Sequence, residues 1–308
     1  MSAMEGEIEP VLLDRGPRDR GPVLVVTAGL HGNEPGGVLA LRRLARRLDE
    51  LAPPLRGRIL GLAGNRGALE EGRRYRDEDL NRIWTEERIR RLRSAGEPRT
   101  AEEIELVRLV EALADAFRSA PDPARRYYAD LHSTSGPGLP FILASADPRP
   151  HFADELPLPE IFGMEELLLG TAMNWYSVHG IPSIALEGGQ NDDPRTAEVL
   201  ETFLWLAMVS IGIIAADAIP DLAERRAWLE EVTSGVPRRV MVEYRHEIRP
   251  DDAFRMEPGF QNLQSVPSGT LVARDRHRDY RTKEDAWMLF PLYQGQGNDG
   301  FFLARPLD

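Results

Sequence analysis

The chain has 308 residues, 42% of them hydrophobic, with no cysteine and 50 acidic against 38 basic residues, a formal charge of -12. That length suffices for about two domains with a real core, and the composition is that of a globular protein rather than a disordered one. Without thiols there is no disulfide, iron-sulfur cluster, thiolate zinc site or cysteine nucleophile, so any metal must sit on His, Asp or Glu. Net acidity argues against a phosphate backbone or an anionic membrane, both of which reward clustered positive charge. Lys283 is the only lysine, which removes the Walker phosphate-loop signature.

The N-terminal Met1 to Pro10 carries Glu5, Glu7 and Glu9 where a secretory signal needs basic and then apolar residues, so a cytoplasmic location is expected. Val23 to Ala28 is a β-branched run ended by Gly29, and Val38 to Leu51 follows with apolar residues at helical spacing. Arg58 to Ala63 reads as a strand, Ala101 to Phe117 as an amphipathic helix with Glu102, Glu103 and Glu105 near its start, and Tyr127 to Leu131 as a third strand. Pro140 to Ala144 and Ser183 to Leu186 are further short apolar runs, and Asp193-Pro194 caps a long helix expected to reach about Asp217. Its most apolar stretch, Phe203 to Ala216, is shorter than the roughly 20 residues that cross a bilayer. Strands alternating with helices imply an α/β fold whose sheet is covered on both faces. From about Pro237 the runs Val240 to Val242, Gly269 to Ala273 and Phe301 to Leu303 are short and separated by turn residues. We therefore expect an α/β domain over 1–234 and a small all-β domain over 235–308, with the boundary at Ser234-Gly235.

Gly29-Leu30-His31-Gly32-Asn33-Glu34 lies where a strand ends and a loop begins, the place where open α/β sheets bind ligands. Tyr128 to His132 delivers a second histidine at the end of another buried strand, followed by Ser133-Thr134-Ser135-Gly136. His31, Glu34 and His132 thus make a three-ligand set of the kind that holds catalytic zinc with a fourth position open to water. His151, His179, His246 and His277 lack such company and read as surface or structural residues. Glu187 ends an apolar strand and so reads as a partly desolvated carboxylate suited to proton transfer. No Gly-x-Ser-x-Gly or His-Glu-x-x-His occurs.

Four separated pieces resemble the succinylglutamate desuccinylase and aspartoacylase group, relatives of the zinc carboxypeptidases. They are His31-Gly32-Asn33-Glu34, Arg74 with Asp79-Leu80-Asn81-Arg82, Asp130 to Thr134, and Leu186-Glu187-Gly188-Gly189. Tyr293 to Phe302 is similar to the family's C-terminal β segment. The resemblance implies a zinc carboxypeptidase-like mixed sheet flanked by helices, with the β domain closing the substrate site. It implies one zinc per chain on His31, Glu34 and His132, catalysis by Glu187, Arg74 near the scissile carbonyl, an anion-binding pair at Asn81 and Arg82, and Tyr293 in a narrowed pocket. Asp79 is expected to orient an arginine or a zinc-bound histidine. The activity implied is removal of an acyl group from a small-molecule N-acyl amino acid. A carboxypeptidase acting on short peptides is the alternative, and a non-catalytic metal-binding module a more distant one. Neither nucleic acid nor membrane is expected as a partner, and homo-oligomerisation stays open. The chain also departs from the pattern. Aspartoacylases carry an arginine shortly before the catalytic glutamate for the substrate's second carboxylate, and here no Arg or Lys occurs between Arg149 and Arg195. Neutral or apolar amino acids are therefore expected to serve at least as well as dicarboxylic ones, unless a β-domain arginine such as Arg276 or Arg278 reaches the site.

Overall fold

A computed structural model describes residues 7–94, 96–120, 122–164, 166–249 and 251–307. Part of the N-terminal stretch on which the cytoplasmic expectation rests, residues 1–6, lies outside the described residues.

The first half alternates strands and helices: β1 (Val11–Arg15), β2 (Val23–Ala28), α1 (Gly36–Leu51), β3 (Arg58–Ala63), α2 (Arg66–Glu71), α3 (Glu86–Arg93), α4 (Ala101–Arg118) and β4 (Arg126–Thr134). There follow β5 (Phe141–Ala144), β6 (Glu160–Phe162), α5 (Ala172–Val178), β7 (Ser183–Gln190), α6 (Pro194–Ser210) and α7 (Leu222–Val232). The rest is strands: β8 (Arg239–Glu247), β9 (Arg255–Met256), β10 (Gln264–Val266), β11 (Leu271–Arg274), β12 (Asp279–Arg281), β13 (Ala286–Leu289) and β14 (Asp299–Pro306).

Strands β3, β2, β4 and β7 run parallel, and β5 joins β7 antiparallel, so the sheet is mixed. Every residue of β2 and β3 is buried, as expected of strands covered on both faces. On one face α1 and α6 pack through Val38, Leu41, Leu44, Phe203 and Trp205. On the other, α4 and α5 pack through Leu106, Leu109, Leu113 and Tyr176. Thr100 caps α4 by accepting the Glu103 N–H at 3.1 Å.

The chain changes from helices to strands between α7 and β8, where the expected domain boundary falls. The hydrogen-bonded sheet nevertheless continues across it, because β8 pairs parallel with β6 and carries β14, β13 and β10 beyond it in an order of eleven strands. A separate three-stranded sheet, β12-β11-β9, completes the C-terminal part. The helix expected to reach Asp217 ends at Ser210 instead. Gly212 takes a left-handed φ of 80°, and Ile213 and Ile214 enter the core from a turn rather than from a helix. Among the described residues no helix is long and apolar enough to cross a membrane.

Candidate metal centre and cleft

Alternation along the strands decides which residues share a face. Asp130 lies opposite Ala185 and His132 opposite Glu187 on β4 and β7, while Thr27 on β2 lies opposite Asp130. These positions share the α4 and α5 side of the sheet, at or near the C-terminal ends of the parallel strands. His31 reaches the same point from the loop after β2. Gly32 allows this: a Cβ there would stand 2.0 Å from the carbonyl carbon of Ala68, so only glycine lets the loop lie against α2. The Gly32 N–H donates to the Arg74 carbonyl at 3.1 Å, tying the loop to the segment that follows α2.

Glu34 joins the two histidines. Its Oε1 lies 2.8 Å from His31 Nδ1 and its Oε2 3.0 Å from His132 Nδ1, and Oε2 also accepts the Ser133 N–H at 3.2 Å. All three side chains are buried, and one ligand atom from each lies within 4.8 Å of the others. On the far side of each ring an aspartate waits: Asp79 Oδ1 is 3.1 Å from His31 Nε2, and Asp130 Oδ2 is 2.9 Å from His132 Nε2. Asn81 Nδ2 also stands 3.3 Å from His132 Nε2, while Asp130 Oδ2, although close to that nitrogen, has no hydrogen-bond partner among the described residues. A metal ion beside Glu34 would need the Nδ1 lone pair of each ring, with the ring proton on Nε2 next to Asp79 and Asp130, the arrangement of a carboxylate-histidine-metal triad. Thr27 Oγ1 in turn donates to Asp130 Oδ1 at 2.6 Å.

Charge at the site is tightly coupled. Burial raises the Glu34 pKa, but the His31 and His132 rings outweigh it and hold the carboxyl far below its ordinary value. Burial lowers the His132 pKa, yet Asp130 and Glu34 push it well above the usual imidazole range. The carboxylates therefore draw positive charge to this point. Two imidazole nitrogens and a carboxylate oxygen converging without competing thiols fit a divalent metal ion.

Glu187 faces the same space and behaves differently. Its burial, the largest influence, raises its pKa to about 7, against the lowering pull of His132, His31 and Arg74. Its Oε2 is buried with no hydrogen-bond partner among the described residues. Arg74 is fixed by Asp79 Oδ2 through Nε at 3.2 Å and Nη2 at 3.0 Å, with Nη1 3.5 Å from Glu34 Oε1. Burial lowers the Arg74 pKa, and Asp79 and Glu34 more than restore it, so the guanidinium stays charged.

Asn81 and Arg82 also line the cleft. Asn81 Oδ1 accepts the Ala172 N–H at 2.9 Å. Arg82 Nη2 donates to Asp299 Oδ2 at 3.1 Å, and Asp299 Oδ1 accepts from Arg245 Nε at 2.6 Å. Tyr293 does not take the expected place in the pocket. Its hydroxyl is held outside by the Phe260 N–H and the Glu257 carbonyl, and Leu292 and Gln294 line the cleft instead. Gln294 Oε1 accepts from Asn33 Nδ2 at 2.7 Å, linking the C-terminal strands to the metal-site loop. Arg276 and Arg278 do not line the cleft either, and Arg278 lies over the Tyr280 ring. Of the other histidines, His246 is buried against Phe301 and Phe254, and His179 Nδ1 lies 2.6 Å from the Trp175 carbonyl.

One residue that supports the site read from the sequence only as a helix-start acid. Glu102 is fully buried and accepts four bonds, from Asn65 Nδ2 at 2.8 Å and from the N–H groups of Arg76, Asp77 and Glu78 at 2.7, 3.1 and 3.3 Å. It holds the segment between Arg74 and Asp79. The cue available in the sequence was its place in the first turn of α4; its burial was not.

Residues 20–191 match the model of the succinylglutamate desuccinylase/aspartoacylase catalytic domain. A succinylglutamate desuccinylase from Serratia proteamaculans is 28% identical over 279 residues, 87% of this chain and 79% of that protein. With the one from Burkholderia lata the match is 36% over 126 residues, 41% of this chain and 34% of that protein. The structure resembles a succinylglutamate desuccinylase/aspartoacylase from Rhodobacter sphaeroides at a TM-score of 0.65 and 18% identity, covering 94% of this chain and 87% of that one. It also resembles the product-bound ectoine utilization protein EutE (DoeB) from Ruegeria pomeroyi at a TM-score of 0.64 and 18% identity, covering 92% and 86%. At such identities the solved structures speak for the fold, while the match over residues 20–191 spans the candidate metal centre and Glu187. The chain belongs to the succinylglutamate desuccinylase/aspartoacylase family.

Proposed function

We propose that this chain is a zinc-dependent amidohydrolase that releases the acyl group from an N-acyl amino acid, with one ion held by His31, Glu34 and His132. The observation that carries the reading is the convergence of those three candidate ligand atoms beside a buried Glu187 whose Oε2 has no hydrogen-bond partner among the described residues. Bound there, zinc supplies Lewis acidity, which makes water a competent nucleophile near neutral pH. Glu187, raised to about 7 by burial, takes a proton from the attacking water and delivers it to the leaving nitrogen. The amide C–N bond breaks, giving a carboxylic acid and a free amine. Arg74, fixed by Asp79, offers its guanidinium to the carbonyl oxygen as charge develops there, a contribution of about 2.7 to 4 kcal/mol for one such donor. Asn81 and Arg82 receive the substrate carboxylate, and the segment around Leu292 and Gln294, from the C-terminal residues 235–308, closes the cleft over it.

Purified, metal-analysed protein assayed for free amine against N-acyl amino acids and short peptides tests this. The expected result is about one zinc per chain and hydrolysis of N-acyl amino acids. Cleavage of peptides without deacylation contradicts it.

A further inference from the structure

The part of the cleft next to Glu187 is apolar. Strand register puts Leu143 of β5 opposite Ala185 of β7, one step along the same face from Glu187. Met164, Phe290 and Phe302 line the same cleft, so five of its lining side chains carry no hydrogen-bond donor. Asp130 neighbours Ala185 from the other strand, so the charge bordering this floor is negative.

Positive charge is scarce and already committed. Among the described residues lining the cleft the arginines are Arg74 and Arg82. Arg74 serves Asp79 and approaches Glu34. Arg82 and Arg245 share the single carboxylate of Asp299, so the trio carries one net positive charge, enough for one substrate carboxylate. A second carboxylate would border Asp130 and Glu187 and would meet no cation left unneutralised among the described residues lining the cleft, only neutral donors such as Thr171 and Gln294.

We propose that the site takes N-acyl amino acids bearing one carboxylate and one apolar group, and that Asp299 is the residue that sets this preference by neutralising Arg82 and Arg245. This rests on the deacylase reading above. The apolar group sits on the Leu143–Ala185 floor, either as the amino-acid side chain or as the acyl chain, and the assay separates the two.

The test compares kcat/KM of the zinc-loaded wild type for N-acetyl-leucine, N-isovaleryl-glycine, N-acetyl-aspartate and N-succinyl-glutamate. At least one of the first two should exceed both dicarboxylic substrates by tenfold or more, and the better of the two identifies the apolar source. Asp299→Asn should move the ratio toward N-acetyl-aspartate by about tenfold, because Arg82, at the cleft, then loses the carboxylate that neutralises it. Competitive inhibition of the wild type by leucine and by aspartate reads the same preference without any variant. If N-acetyl-aspartate or N-succinyl-glutamate is favoured by more than tenfold, the preference is overturned while the deacylase reading stands. If none of the four is hydrolysed, the deacylase reading fails and takes this inference with it.

Discussion

The candidate metal-ligand side of the cleft rises from β4 and the loop after β2, whereas the proposed substrate side is assembled from the segment after α2, the turn before α5 and the C-terminal strands. On the first side each candidate histidine ligand has an aspartate behind it, Asp79 behind His31 and Asp130 behind His132, and Thr27 donates to Asp130 in turn. On the second, charged groups mostly neutralise one another, as Arg82, Arg245 and Asp299 do. The difference separates the reaction from its specificity. The candidate ligands sit on β4 and on the short loop that Gly32 packs against α2, while more distant loops and the C-terminal strands line the rest of the cleft.

The largest effect should come from the ligand side. His132→Ala removes a ligand and leaves Asp130 and Glu34 without the ring between them, so the protein should lose stoichiometric zinc and all measurable turnover. Metal analysis after gel filtration checks this, and a full equivalent of zinc in the variant would remove His132 from the ligand set. A much smaller effect is expected where the two sides meet. Glu102→Ala deprives Asn65 and three backbone N–H groups of their acceptor, which should cost about 1 to 3 kcal/mol of stability, read as a shift in Tm. As a positioning residue acting through Arg74 and Asp79, Glu102 should also lower kcat with zinc content kept, and Glu102→Gln should recover part of it. Unchanged kcat and Tm would return Glu102 to an ordinary helix-start acid.

How much of this could be read in advance follows the same division. His31, Glu34 and His132 stand in short local patterns at strand ends, and strand alternation carries Glu187 to the same face, so that part was legible. The fold class was legible too, because β2, α1, β3, α4 and β4 each announce themselves by periodicity. Asp299 was not, since its meeting with Arg82 spans 217 positions and follows no local pattern. Tyr293 misled for a related reason: neighbours along a loop point in different directions, and the hydroxyl found its partners at Glu257 and Phe260. The continuity of the sheet rests on β6, three residues that no periodicity would reveal. The overlong α6 came from reading apolar character as helix, where Gly212 ends the helix and the apolar residues beyond it fill the core from a turn.

The central claim is that Glu187 moves the proton while the two histidines and Glu34 hold the metal. The most direct measurement is zinc content and kcat on the same preparation of Glu187→Gln, whose amide keeps the shape of the side chain but cannot accept the proton. The account predicts about one zinc per chain, an unchanged fold, and kcat lowered by about a hundredfold to ten-thousandfold. Near-normal kcat in the zinc-loaded variant would contradict it.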